Sequence, residues 1–168
     1  HYNSGLRDSS VAMTTTPLAP GSFDDFGKID TWDEARAQTW ARALELRAEA
    51  DDQGRLRREI LDIAALRLGD IVIEIGAGTG PLLSELAAAV GPSGRVIGLE
   101  PQPVLARFAR ERLRERGIAG YCEVRIERGS ATALADGIAD ACIAQTVLCH
   151  LPIEVREATL SRMRRLTR

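Results

Sequence analysis

Between residues 71 and 90 the chain sets a short β-branched run, Ile71-Val72-Ile73-Glu74-Ile75, against a glycine cluster, Gly76-Ala77-Gly78-Thr79-Gly80, and then an apolar segment opened by Pro81. Few folds accept that order. A short run of this composition suits a buried strand, and Pro81 suits the first turn of a helix, where its missing amide costs nothing. The glycines between them let the backbone turn sharply and approach a ligand closely, next to the free amides of a helix N-terminus.

The same alternation recurs downstream. Residues 95–99 form a second strand ending at Glu100, and about 102–116 a helix that turns Val104, Leu105, Phe108, Ala109 and Leu113 inward before Gly117. Residues 121–126 alternate as a third strand. A fourth lies within 139–148, apolar enough for burial on both faces, and Pro152 opens a last helix to about Leu166. Strands alternating with helices predict a Rossmann-like parallel sheet with right-handed crossovers and helices on both faces.

Upstream, Thr31-Trp32-Asp33-Glu34 has the pattern of a capping box starting a helix to about Ala50. A break at 51–54 and a second helix at about 55–66 follow, with Leu56, Ile60, Ile63 and Ala64 on one stripe. The expected organisation is a disordered tail or expression remnant at 1–22, with Met13 as a candidate start, an N-terminal helical lid segment at 23–54, and the sheet domain at 55–168. Phe23 and Phe26 are the better lid candidates; Trp40 reads as plain helix core.

Bulk properties narrow the partners. A net charge of −2 over 168 residues gives no general footprint for nucleic acid or an anionic membrane. No apolar run approaches the roughly 20 residues of a membrane span, and no secretory apolar region is found near the N-terminus. Cys122, Cys142 and Cys149 lie in or beside apolar runs without C-x-x-C spacing, which reads as buried free thiols in a reducing compartment, the cytoplasm by default. No metal-ligand constellation is found. The arginines and glutamates of 107–116 alternate, as on a solvated helix face.

The glycine loop itself is E-x-G-x-G-x-G, not the G-x-G-x-x-G that seats a dinucleotide pyrophosphate. Glu74, in a buried strand, needs a partner; it can brace the loop amides and help present acceptors to an ammonium group. Glu100 can accept both hydroxyls of a ribose, a feature common to nicotinamide and S-adenosylmethionine sites. The loop therefore decides between them, in favour of a ligand with a cationic end.

The stretches VIEIGAGTGPLL, RVIGLEPQPVLARFARERL, ERGSATAL and DACIAQTVLCHLP resemble the successive cofactor motifs of class I S-adenosylmethionine-dependent methyltransferases. The likeness covers roughly residues 55–168 and is strongest to small-molecule enzymes of the ubiquinone/menaquinone-biosynthesis type. It implies S-adenosylmethionine as cofactor and a small-molecule methyl acceptor. By position, Gly76, Ala77, Gly78 and Gly80 would shape the pocket for the methionine moiety, with Glu74 bracing it. Glu100 would hold the ribose hydroxyls, while Pro101 and Gln102 border the adenine. Ser130 and Ala131 would meet the adenine edge, and Gln145 and Thr146 would lie near the methionine amino group.

Two departures stand out. Many relatives carry Asp where this chain has Ser130, leaving adenine a neutral acceptor. Relatives also continue past the segment like Met163-Arg164-Arg165-Leu166 into a Pro-Gly-Gly turn and three more strands, whereas this sequence ends at Arg168. A natural continuation is therefore expected, or else a partner chain over the fourth strand, such as a homodimer. Methyl transfer needs no enzyme nucleophile. For a hydroxyl acceptor His150 is the candidate base, with a role as helix cap or backbone partner the plainer alternative; Cys149 beside it reads as strand-end packing. The sequence Gln145-Thr146-Val147-Leu148 replaces the Asn/Asp-Pro-Pro-aromatic motif that holds a planar amine, which argues against methylation of a flipped base. A nicotinamide-dependent oxidoreductase and a catalytically silent S-adenosylmethionine-binding module remain the competing functions.

Overall fold

The computed structural model of the chain describes residues 26–168. The expected tail at 1–22 and the lid candidate Phe23 lie outside these residues. Four strands form one parallel sheet: β1 (Ile71–Ile75), β2 (Arg95–Leu99), β3 (Cys122–Arg125) and β4 (Ala141–Ala144), in the spatial order β3-β2-β1-β4. Among the described residues five α-helices accompany them: α1 (Glu34–Ala48), α2 (Asp51–Ala64), α3 (Pro81–Val90), α4 (Pro103–Glu115) and α5 (Ile153–Leu166). The Rossmann-like fold read from the alternation is borne out.

The two-residue period of the strands sorts the core into two layers. Val72, Val96 and Val124 face α3 and α4, where Leu82, Leu83, Leu86, Ala106 and Ala109 close over them. Ile73, Ile75, Ile97 and Leu99 face the opposite layer, with Leu134, Ala139 and Leu166 of α5. Arg162 of α5 is also buried: it pairs with Asp136 and donates to the carbonyls of Thr132 and Leu134, fastening the loop before β4.

Several boundaries differ from expectation. Asp33, not Thr31, caps α1, accepting from the Arg36 amide at 2.8 Å. Thr31 ends a 3-10 turn, Phe26–Thr31, and its hydroxyl donates to the Lys28 carbonyl instead. The break between the first two helices falls at Glu49 and Ala50, and Gly54 lies inside α2. The inward stripe of α2 passes through Ile60 and Leu61, leaving Ile63 85% exposed. β4 is half-buried along its length; among the described residues it has a strand neighbour on one side only, β1. Of the three cysteines Cys122 alone is fully buried; Cys142 is half-buried and Cys149 exposed, so the packing role read for Cys149 is not seen. Burial pushes the thiols of Cys122 and Cys142 up, to about 12 and about 11.

The N-terminal elements sit on the domain. Ile29, Trp32, Ala37 and Ala41 pack against Val104 and Leu105 of α4. Glu34 and Glu45 of α1 pair with Arg107 and Arg112 of α4.

Candidate functional site

A chain that builds β2 and β3 on one side of β1 and then returns to place β4 on the other reverses direction between β1 and β4. Open α/β sheets bind ligands at that reversal, outside the carboxyl ends of the strands. Two adjoining cavities lie there, of about 280 and about 110 Å³.

The bend after β1 is built by close contact. Gly76, Gly78 and Gly80 all adopt positive φ, and a Cβ on Gly76 would lie 2.2 Å from Val147 Cγ2, after β4. The two strand ends thus meet only because residue 76 has no side chain. Gly129 does the same after β3, where a Cβ would lie 2.4 Å from Ile75 Cγ2.

The amides of this bend are turned inward. Gly76 and Ala77 donate to the Leu99 carbonyl at 2.8 and 3.1 Å, and Gly80 to the Ala77 carbonyl at 2.9 Å. The Gly78 amide donates to Glu100 Oε2 at 2.9 Å. The bracing expected of Glu74 is therefore supplied by Glu100, whose Oε1 also accepts from the Gln102 amide at 2.8 Å. Each oxygen of Glu100 keeps acceptor capacity for a further donor. Burial pushes the Glu100 carboxyl up to about 7 despite these two amides.

Glu74 is buried, and its Oε2 has no hydrogen-bond partner among the described residues. Desolvation first, then the nearby Glu100 and Glu85 carboxylates, hold it well above the usual carboxylate range. It lines the smaller cavity with Ala77, Thr79 and Arg57, and Thr79 Oγ1 is a second buried polar atom there without a partner among the described residues.

Glu100, Pro101, Ser130 and His150 line the larger cavity; Gly76, Gly78, Gln145 and Thr146 line both. Thr146 holds a positive φ of 56°, uncommon for a residue with a branched side chain. Gly80, Gln102 and Ala131 line neither cavity. Gly80 caps α3 and packs under Ala109, while Ala131 is exposed beside Ser130. Gln102 is buried: its Oε1 caps α4 through the Val104 amide, and its Nε2 donates to the Ile29 and Trp32 carbonyls. It ties the N-terminal segment to the end of β2 and has no free edge for a ligand.

The roof of the larger cavity comes from that segment. Phe26, Ile29, Trp40 and Leu44 line it, so Trp40 is roof as well as helix packing. The Phe26 ring stands edge-on to Trp32 and Trp40 and 4.9 Å from the His150 ring. Arg128, which sequence reasoning passed over, joins the site by pairing with Asp30 and donating to the Gly27 carbonyl. No sequence signal pointed to it, since its partners are about a hundred residues away.

Fold and crevice define a Rossmann-like α/β protein with cavities at the β1/β4 reversal. A family model described as a methyltransferase domain matches residues 72–168, more than half of the chain. The chain belongs to that family, as its motifs led one to expect. It is 30% identical over 84 residues to a ubiquinone/menaquinone biosynthesis C-methyltransferase of Hydrogenovibrio crunogenus, a match covering 50% of this chain and 33% of that protein. The chain thus spans about a third of the length of this curated relative. Among solved structures, geranyl diphosphate C-methyltransferase of Streptomyces coelicolor, crystallised with S-adenosyl-L-homocysteine, superposes with a TM-score of 0.62 at 18% identity, over 69% of this chain and 40% of that one. The cyclase SpnF superposes with a TM-score of 0.63 at 19% identity, over 72% and 44%. At these identities the two structures speak for the fold alone.

Proposed function

We propose that the chain binds S-adenosylmethionine at the β1/β4 crevice and carries out methyl transfer to a small-molecule acceptor. The observation behind this is the state of the bend: the amides of Gly76, Ala77, Gly78 and Gly80 are all spent inside the protein, while a buried Glu74 oxygen beside them is unmatched. A pyrophosphate needs the amides. A cationic ligand needs the carboxylate.

The residues fit the methyl donor on that ground. Gly76 and Gly78 give it room, Glu74 matches its ammonium, and the remaining acceptor capacity of Glu100 suits its ribose hydroxyls. Pro101 and Ser130 flank the adenine side, and Gln145 and Thr146 the amino-acid side. When bound, the cofactor supplies an electrophilic methyl group on a sulfonium. The chain's part is to align the acceptor in line with that bond and to keep water out. The roof of Phe26, Trp40 and Leu44 serves the second task and favours an acceptor with an apolar body over nucleic acid. His150, in the cavity wall, takes the proton of a hydroxyl acceptor. Free cysteines, one of them exposed, suit the reducing cytoplasm.

Calorimetric titration tests the reading. S-adenosylmethionine and its demethylated product should bind and raise Tm, and NAD(H) should do neither. NAD(H) binding with no response to S-adenosylmethionine would reverse the assignment. Donor binding without methyl transfer to any of a panel of apolar hydroxyl, carbon and amine acceptors would favour the silent module.

A further inference from the structure

The smaller cavity sets unmatched acceptors on one wall and guanidinium groups on the other. On the sheet side are the unmatched Glu74 Oε2 and Thr79 Oγ1. On the helical side are two arginines, which differ in a decisive way. Arg57 of α2 is committed: its guanidinium pairs with Glu85 at 2.7 Å and donates to the Ala48 carbonyl at 3.1 Å. Arg47, in the last turn of α1, has no ion-pair partner among the described residues and lines both cavities. Arg128 pairs with Asp30 and does not line the smaller cavity.

A cavity with one unmatched buried carboxyl, which a nearby cation would ionise, and one guanidinium without an ion-pair partner among the described residues is complementary to a zwitterion. With the amino-acid end of the methyl donor on the glycine bend, as proposed above, we infer that Arg47 anchors its carboxylate in the smaller cavity. The inference rests on the reading above and deepens it, because Arg47 lies outside the family-matched residues 72–168. Donor binding then bridges the sheet domain and α1, drawing the N-terminal roof onto the occupied site. A guanidinium meeting a carboxylate makes charge-assisted hydrogen bonds, about twice as strong as neutral ones. A cation in the last turn also suits the α1 carbonyls, but that role would affect helix stability and not the choice of ligand.

Calorimetry with three ligands separates these roles: S-adenosylmethionine, its decarboxylated analogue, and methylthioadenosine, which lacks the amino-acid end. The wild type should prefer S-adenosylmethionine to the decarboxylated analogue by about tenfold or more. Arg47→Gln should bring that ratio to within about twofold and leave methylthioadenosine affinity unchanged. Arg42→Gln, an exposed α1 position lining neither cavity, should keep the wild-type ratio. Hydrogen exchange should show donor-dependent protection of α1 in the wild type and its loss in Arg47→Gln. An unchanged ratio in Arg47→Gln, or no preference in the wild type, overturns the anchor while leaving donor binding intact. A wild type that binds none of the three ligands overturns both readings.

Discussion

Gly76 and Gly117 have similar backbone angles, φ of +72° and +67°, in opposite surroundings. A Cβ on Gly76 would strike Val147 at 2.2 Å, whereas one on Gly117 would meet nothing within 4 Å. Gly117→Ala therefore bears only the cost of a left-handed alanine, about 1–2 kcal/mol, and should leave donor affinity alone. Gly76→Ala adds the displacement of Val147, a side chain in the cavity wall, and should lose a further 1–3 kcal/mol, roughly the cost of overpacking, together with about tenfold in donor affinity. Thermal melts and titrations of the two variants check this; equal behaviour would mean that the close approach after β1 is unimportant. The glycines were legible in the sequence because only a few backbone tasks require them. The division of labour between the two acids was not. Glu74 and Glu100 are alike as buried acids, and only the register, with Glu74 opposite Gly98 and Glu100 one step past Leu99, puts Glu100 against the Gly78 amide.

At the scale of elements, helix periodicity located α3, α4 and α5 well, because each has one face on the sheet. It served α1 and α2 less well. Thr31-Trp32-Asp33-Glu34 offers two cap residues in one window, and the 3-10 turn that draws Thr31 back to Lys28 leaves Asp33 to cap the helix. α2 has no fully buried residue, so its apolar positions outnumber the places to put them. What ties the segment ahead of α1 to the domain was invisible in sequence: Gln102 reaches the Ile29 and Trp32 carbonyls some seventy residues back. Gln102→Ala removes the α4 cap and those two donations together, and should cost about 2–3 kcal/mol. Its particular consequence should be loosening of the roof. Hydrogen exchange should quicken across 26–48 more than in β1 and β2; uniform quickening would show that Gln102 stabilises the domain without fastening the segment.

For the whole molecule the parallel order and the crevice at the strand reversal followed from the alternation of elements. The half-exposure of β4 did not follow, since an apolar strand reads the same at an edge as in the middle. The larger consequence of this architecture is electrostatic. The sheet carries two acids, Glu74 and Glu100, on the same layer, both nearly inaccessible to water, and burial is the main cause that raises each pKa. A carboxyl whose folded pKa exceeds its unfolded value stabilises the fold fully below the unfolded pKa, and that contribution fades as pH rises through the folded one. For Glu100, raised from 4.5 to about 7, the loss by pH 8 is on the order of 3 kcal/mol, and Glu74 adds to it in the same direction. The ligand-free chain should therefore melt several degrees lower at pH 8 than at pH 5, and Glu74→Gln and Glu100→Gln should each flatten that slope. A cationic donor reverses the balance at Glu74 by favouring its ionised form. Donor binding near neutral pH should then release protons, seen as a dependence of the calorimetric heat on buffer ionisation enthalpy, and Glu74→Gln should reduce that release. Proton uptake instead, or a melting temperature flat between pH 5 and 8, would mean that the two acids are already ionised before the ligand arrives.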